Sequence, residues 1–207
     1  MQIAGWAMAG GGSPDLPSRG RSPGRPRDIT LDAAISRAAA RHLAERGFAG
    51  MSMEGVAAAA GTTPPSLRRR FRDKLQLAMA GIDSIRIEPL PAPSGDPRAD
   101  VLAILNSLRA TLARRNGMAM LGTILAEERR NPELLERFRR RLDEPVRDRL
   151  RAALVLGVQT GQLRPGLDVD MAVSLLMGSL YAQYVGTRQL PEDWAERTIS
   201  VLWPAGE

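Results

Sequence analysis

SMEGVAAAAGTTPPSLRRRFRDK, residues Ser52 to Lys74, reads as two short helices joined by a glycine-containing turn. Ser52 suits the N-cap of the first and Glu54 the positive end of its dipole, while Met53, Val56, Ala57 and Ala60 recur at helical spacing on one face. Gly61 ends that helix, because glycine takes the left-handed C′ conformation without Cβ strain. Thr62 or Thr63 caps the second helix, whose first turn tolerates Pro64 and Pro65 because amides there lack intrahelical partners anyway. Leu67 and Phe71, four apart, point inward. Ser66, Arg68, Arg69, Arg70 and Arg72 then surround a helix short enough to enter a DNA major groove. The pattern is a helix-turn-helix.

Charge separates this region from the remainder. Residues 1–74 hold 12 Lys and Arg against 6 Asp and Glu, whereas residues 75–207 hold 17 of each, so the whole net charge of +6 lies in the first third. Cationic side chains release counterions from a nucleic-acid backbone, so a basic segment joined to a neutral one fits phosphate binding. All these cations except Lys74 are arginine, whose planar fork bridges phosphate oxygens or a guanine edge; an arginine-rich composition is equally what a GC-rich genome encodes. With 207 residues and no cysteine, the chain has room for a real core and cannot form a disulfide framework or a thiolate metal site. Its first dozen residues lack the positive start of a secretory signal, and no run reaches membrane-spanning length, so a soluble cytoplasmic protein with no membrane partner is expected.

Outward from the central stretch, residues 1–27 are rich in Gly, Pro and Ser and are expected to form a flexible basic arm, with Arg25 and Arg27, next to the first helix, placed for phosphate or minor-groove contact. The triple glycine at Gly10 to Gly12 is no phosphate loop, since no Gly-Lys-Ser/Thr follows it. A helix capped by Thr30 is predicted to run to about Arg46, with Leu31, Ile35, Ala38, Ala39 and Leu43 on its inner side and Gly47 at its end. His42, the only histidine, has no partner for catalysis or metal binding and is expected to pack half-buried. Residues 28–74 thus make one domain. After Lys74, helices are predicted from about Asp73 to Ile87, Arg98 to Asn116, Met118 to Arg130 and Pro132 to Gly161, the last bent at Pro145, with a proline-rich loop before Arg98. Asp168 or Asp170 caps an apolar helix ending near Gly186, and Pro191 starts a final one running to Trp203. With no strand pattern, the fold class is all-α: a three-helix DNA-binding domain followed by a helical domain over 75–207.

GRPRD at Gly24 to Asp28, AERGF at Ala44 to Phe48, the S-x-x-x-V-A-x-x-A-G run at Ser52 to Gly61 and SLRRRFRDK at Ser66 to Lys74 together resemble the DNA-binding domain of the TetR (tetracycline-repressor-like) transcriptional regulators. Arg68 and Arg70 stand where that family often has Tyr and His, so positioning on DNA carries over while base preference does not. The resemblance implies a homodimer, paired through its last two helices in a four-helix bundle, that sets two recognition helices on a pseudo-palindromic operator. Small residues Ala172, Ser174, Gly178, Ser179 and Ala182 would allow close approach there or serve packing within one chain. Carried over by position, Thr63, Pro65, Ser66 and Arg68 would lie nearest the base edges, and Ser52, Thr62, Arg69, Arg70 and Lys74 at phosphates.

The neutral domain would, in the family's manner, hold a small-molecule effector, with Met118, Met120, Leu121, Ile124 and Leu125 on one helix and Met177, Tyr181 and Tyr184 on another as candidate lining residues; the same stripes equally suit plain core. Few ionisable groups fall on these faces, which favours an apolar or amphipathic effector. Catalytic residues, metal ligands and cofactors are not implied: there is no cysteine, no partnered histidine and no carboxylate pair in a cleft-like context. The expected function is a dimeric repressor released from its operator by an effector. The alternative is a helical ligand-binding or interaction module that no longer reads DNA specifically.

Overall fold

Side-chain caps start the helices around which the chain is arranged. Ser52, Thr63, Asp73, Asp96 and Asp168 each accept a backbone amide hydrogen two or three residues ahead, satisfying donors that have no partner inside the helix. In the computed structural model, which describes residues 29–85, 89–114 and 116–203, the described chain contains no strand. Its order is α1 (Ile29–Gly50), α2 (Met53–Ala59), α3 (Pro64–Arg68), α4 (Lys74–Asp83), α5 (Pro97–Ala113), α6 (Gly117–Ala126), α7 (Pro132–Phe138), a π-helical turn (Arg139–Asp143), α8 (Glu144–Gln159), α9 (Val169–Thr187) and α10 (Trp194–Ile199). The expected basic arm, with Arg25 and Arg27, lies outside the described residues.

Several helix ends differ from the sequence expectation, each for a local reason. α1 already begins at Ile29, so Thr30 lies inside its first turn rather than at a cap. Gly47 does break the helix, with φ 71° and ψ 173°, but three more residues resume helical pairing behind it. α4 stops at Asp83, where the Ser84 hydroxyl donates to the Gly81 carbonyl at 2.8 Å and ties down the last turn. α6 closes at Ala126, followed by single turns through Arg130. Pro145 does not bend one long helix at its own position. The irregularity sits in the preceding π turn, because proline offers no amide to the carbonyl four residues back and its ring crowds that carbonyl. The final helix is six residues long instead of spanning Pro191 to Trp203.

Two apolar clusters hold the molecule together. The first joins Ile35, Leu43, Val56, Leu67, Leu77 and Ile82 from α1–α4 and continues into Ile124 of α6 and Leu134 of α7. The second is built on Ile104, Leu105, Leu150, Leu154, Leu176 and Leu180 from α5, α8 and α9, closed by Trp194 and Ile199. α1 therefore packs on α4 and, at the same time, on α6. At the α1–α4 crossing Gly81 is required, since a Cβ there would stand 2.9 Å from the Ala40 amide nitrogen. The loop before α5 is pinned by Asp100, whose buried carboxylate accepts the Ser94 amide and hydroxyl, each at 2.7 Å. Burial alone would raise that carboxyl, but the Ser94 bonds and the nearby Arg149 charge outweigh it and hold it below the usual range.

Candidate nucleic-acid interface and the cavity beneath it

The turn between α2 and α3 is fixed by backbone bonds that glycine makes possible. Gly61 has φ 68°; its amide reaches the Ala58 carbonyl at 3.2 Å and the Thr62 amide reaches the Ala57 carbonyl at 2.9 Å, the Schellman arrangement. The Ser52 hydroxyl accepts from Gly55 N at 3.0 Å and the Thr63 hydroxyl from Ser66 N at 3.4 Å. Leu67, fully buried, and Phe71 seat α3 in the core it shares with α1, α2 and α4, and burying a leucine side chain contributes roughly 1.5–3 kcal/mol. What remains outside is Pro65, Arg68 and Arg69, with Arg72 on the turn that follows.

The arginines of this cluster do different things. Arg68 is ion-paired with Glu54 of α2, but both side chains are 58% exposed, so the pair is easily exchanged for a phosphate or a base edge. Arg69 is exposed and makes no ion pair among the described residues. Arg70 is turned inward: at 18% exposure its Nε donates to Asp32 of α1 at 2.7 Å, and its terminal nitrogen donates to the Ser66 hydroxyl at 3.0 Å and the Ser66 carbonyl at 3.2 Å. It braces α3 against α1. Arg72 lies beside Asp73, the N-cap of α4, whose carboxyl is held below its usual range first by the Gln76 amide and then by Arg72. Lys74 sits 4.5 Å from the centre of the Phe48 ring and donates to the Ala49 carbonyl at 3.4 Å, which places its ammonium at the edge of the same face. Thr62 and Ser66 are half-buried beside the turn.

His42 lies directly under α2. It is 8% exposed, its Nδ1 has no hydrogen-bond partner, and its ring lies 3.0 Å from where a Cβ at Gly55 would stand, as does the Ser52 hydroxyl. Burial, followed by the Arg46 charge, lowers its pKa. It packs rather than catalyses. Among the described residues no group of three His, Cys, Asp or Glu is placed to hold a metal ion.

Beneath α1 is a cavity of about 230 Å³. Ala40, Arg41 and Ala44 of α1 form one wall; the others come from Leu108 and Leu112 of α5, Met120 of α6, Phe138, Val146 of α8, and Met177 and Tyr181 of α9. Burial raises the Tyr181 phenol pKa, with the Asp143 charge adding to it. Of the residues singled out in the sequence, Met120, Met177 and Tyr181 meet here. Met118 packs against the second core, Ile124 is buried in the first, Leu121 is buried without lining the cavity, and Leu125 is exposed. Tyr184 lines a separate surface groove with Arg188 and Leu190. The α1 residues went unnoticed in the sequence, because the alternation of small and long side chains on α1 does not show which face meets a helix seventy residues further on.

Among the described residues no helix is long and apolar enough to cross a membrane. Comparison with known proteins places both halves. Residues 35–80 match "Bacterial regulatory proteins, tetR family", and residues 91–202, more than half of the chain, match "Tetracyclin repressor-like, C-terminal domain". The uncharacterised HTH-type transcriptional regulator YdeS of Bacillus subtilis (strain 168) is 27% identical over 159 residues, 76% of this chain and 80% of that protein. FadR of Bacillus subtilis, a transcriptional regulator solved in complex with stearoyl-CoA, has a TM-score of 0.66 at 20% identity, over 84% of this chain and 98% of its own. HlyIIR, a hemolysin II transcriptional regulator, has a TM-score of 0.61 at 18% identity, over 84% and 98% respectively. The solved structures establish likeness of fold; the matched regions, together with the helix-turn-helix built above, show that the chain belongs to the TetR family and is a DNA-binding transcriptional regulator, not an enzyme.

Proposed function

We propose that the protein is a dimeric repressor that leaves a pseudo-palindromic operator when a small apolar or amphipathic molecule enters the cavity beneath α1. One observation carries this reading: the cavity is walled on one side by the helix that supports α3 and on the others by α5, α6, α8 and α9, so an occupant touches both halves of the chain. A ligand that fits one setting of α1 better than another shifts the population of α3 orientations by its difference in affinity. FadR, with the same fold, holds a long-chain acyl thioester, which is in keeping with an amphipathic occupant.

Dimerisation is supported by α9. Met171, Leu175, Gly178, Ala182 and Val185 follow one another at intervals of four and three residues, and Leu175 is 62% exposed. That spacing is the seam by which helices pair. Ala172 and Ser179, by contrast, face into the chain, Ser179 lying 3.5 Å from the Thr198 hydroxyl of α10. Pro65, Arg68, Arg69 and Thr63 are the side chains for the base edges and nearby phosphates, with Ser52, Thr62, Ser66 and Lys74 around them and Arg70 acting through the placement of α3.

The test is selection of bound sequences from random duplexes by the purified full chain. Enrichment of a pseudo-palindrome, with affinity falling steeply as salt rises, is the expected result. Equal retention of all duplexes would favour a ligand-binding module without operator specificity.

A further inference from the structure

The cavity beneath α1 is mostly hydrocarbon, and most of the polar side chains in its wall are already used. Ser107, Thr111 and Arg114 are engaged within the chain, Asn116 donates to the Glu45 carboxylate at 3.3 Å, and Arg41 stands exposed. Two groups differ from these. Asp143, at the end of the π turn, accepts Arg147 Nε at 2.7 Å through Oδ2, while its Oδ1 has no hydrogen-bond partner among the described residues. Its side chain is 16% exposed, so bulk water reaches it poorly. Tyr181 of α9 makes no hydrogen bond among the described residues, yet its hydroxyl oxygen is not sealed in by protein atoms. The Asp143 charge acts on that phenol, so the two groups are neighbours in the cavity wall.

A free carboxylate oxygen beside a free phenol calls for an occupant that donates and accepts at one point, because a polar group closed off from water without a partner is costly. A carboxylate would bring a second negative charge to Asp143, whose guanidinium partner is already bonded. An ammonium would give up its hydration to meet a carboxylate whose charge Arg147 already balances. An ether accepts from Tyr181 and offers Asp143 nothing. A hydroxyl does both. We propose that the effector is an apolar molecule bearing a hydroxyl group, which donates to Asp143 and accepts from Tyr181 while its hydrocarbon lies among Leu108, Met120, Phe138 and Met177. This rests on the cavity being the effector site. It adds that the hydroxyl ties α9 to the π turn, which continues α7, and α7 is clamped to α4 by Arg137 Nε donating to Asp83 at 2.7 Å.

The test uses the full chain with pyrene, a fluorescent hydrocarbon without polar groups, displaced by 1-decanol, 1-methoxynonane or decanoate. The alcohol and the ether have the same heavy atoms and differ in the donor. Inhibition constants are taken relative to each variant's own affinity for pyrene, and cooperative thermal unfolding shows that each variant is folded. In the unmodified chain 1-decanol is expected to displace pyrene at a roughly tenfold lower concentration than 1-methoxynonane, the size of effect a hydrogen bond to a charged group gives, and decanoate at a higher concentration than 1-decanol. Asp143→Ala should remove the advantage of the alcohol over the ether, whereas Tyr181→Phe should weaken both and keep the advantage. If the ether or decanoate equals 1-decanol in the unmodified chain, or the alcohol keeps its advantage in Asp143→Ala, the hydroxyl assignment is overturned while the effector site stands. Leu108→Trp, which fills the cavity, should abolish pyrene binding; unchanged binding in that variant, or none in the unmodified chain, overturns the effector site itself.

Discussion

Residue by residue, the helix-turn-helix separates positions that hold from positions that touch. Arg70 and Arg69 are neighbours in sequence, yet Arg70 is bonded to Asp32 and Ser66 while Arg69 stands in solvent. Arg70→Ala should therefore lower unfolding free energy by about 1–3 kcal/mol, the loss of a charge-assisted hydrogen bond to Asp32 and of the bonds to Ser66. Arg69→Ala should leave the denaturation midpoint in place and flatten the dependence of log affinity on log salt by about 0.9 for each half-site, one phosphate contact per protomer. Denaturant titration and DNA binding across a salt series separate the two; an unaltered midpoint in Arg70→Ala would remove the bracing role. Gly61→Ala meets no atom within 4 Å, so its effect is backbone strain alone, about 1–2 kcal/mol. At His42 the folded-state pKa lies below the ordinary 6.5 because burial disfavours the charged ring. The unfolded chain then binds more protons than the folded one between the two values. Stability is accordingly complete above about pH 6.5 and declines as pH falls through the lower folded value. Unfolding titrations from pH 8 to 5 should show that decline, and His42→Leu should reduce it.

Among the elements, α1 is the part shared by everything else. Its face toward α4 is set by Gly81, its N-terminal turns hold Arg70 through Asp32, and Arg41 and Ala44 wall the cavity further along. Gly81→Ala places a methyl group against the Ala40 backbone at 2.9 Å, and backbone cannot step aside as a flexible side chain can. We expect a loss of about 1–3 kcal/mol despite the higher helix propensity of alanine, measured by denaturant unfolding. Little of this crossing is legible in α1 alone. The sequence located α2, α3 and their caps closely, because Ser52, Thr63 and Gly61 act on amides within a few residues of themselves. It misjudged α10, since whether the turns around Ile199 lengthen into a helix depends on what Trp194 and Leu202 pack against.

For the whole molecule, the proposed dimer depends on the exposed apolar row along α9. Leu175→Arg places a charge on an exposed apolar row without touching either core, so the fold should persist while pairing is lost. Sedimentation should then report a monomer where the unmodified chain is expected to sediment as a dimer, and affinity for a two-half-site duplex should drop by about a hundredfold or more as simultaneous engagement disappears. A dimeric Leu175→Arg protein with undiminished affinity would place the interface elsewhere.

By itself the amino-acid order determined the all-helical class, the caps, the glycine turn and the basic first third, because each depends on interactions spanning a few residues or on composition. It also carried enough matching positions to indicate the family. Only the tertiary structure decided that Arg70 faces inward, that Ile124 joins the DNA-binding domain's core, and that the cavity is walled by Arg41 and Ala44 rather than by Met118 or Tyr184. Helical periodicity says that a side chain shares a face with others; which distant helix that face meets is fixed by how whole helices cross, and no local pattern encodes the crossing.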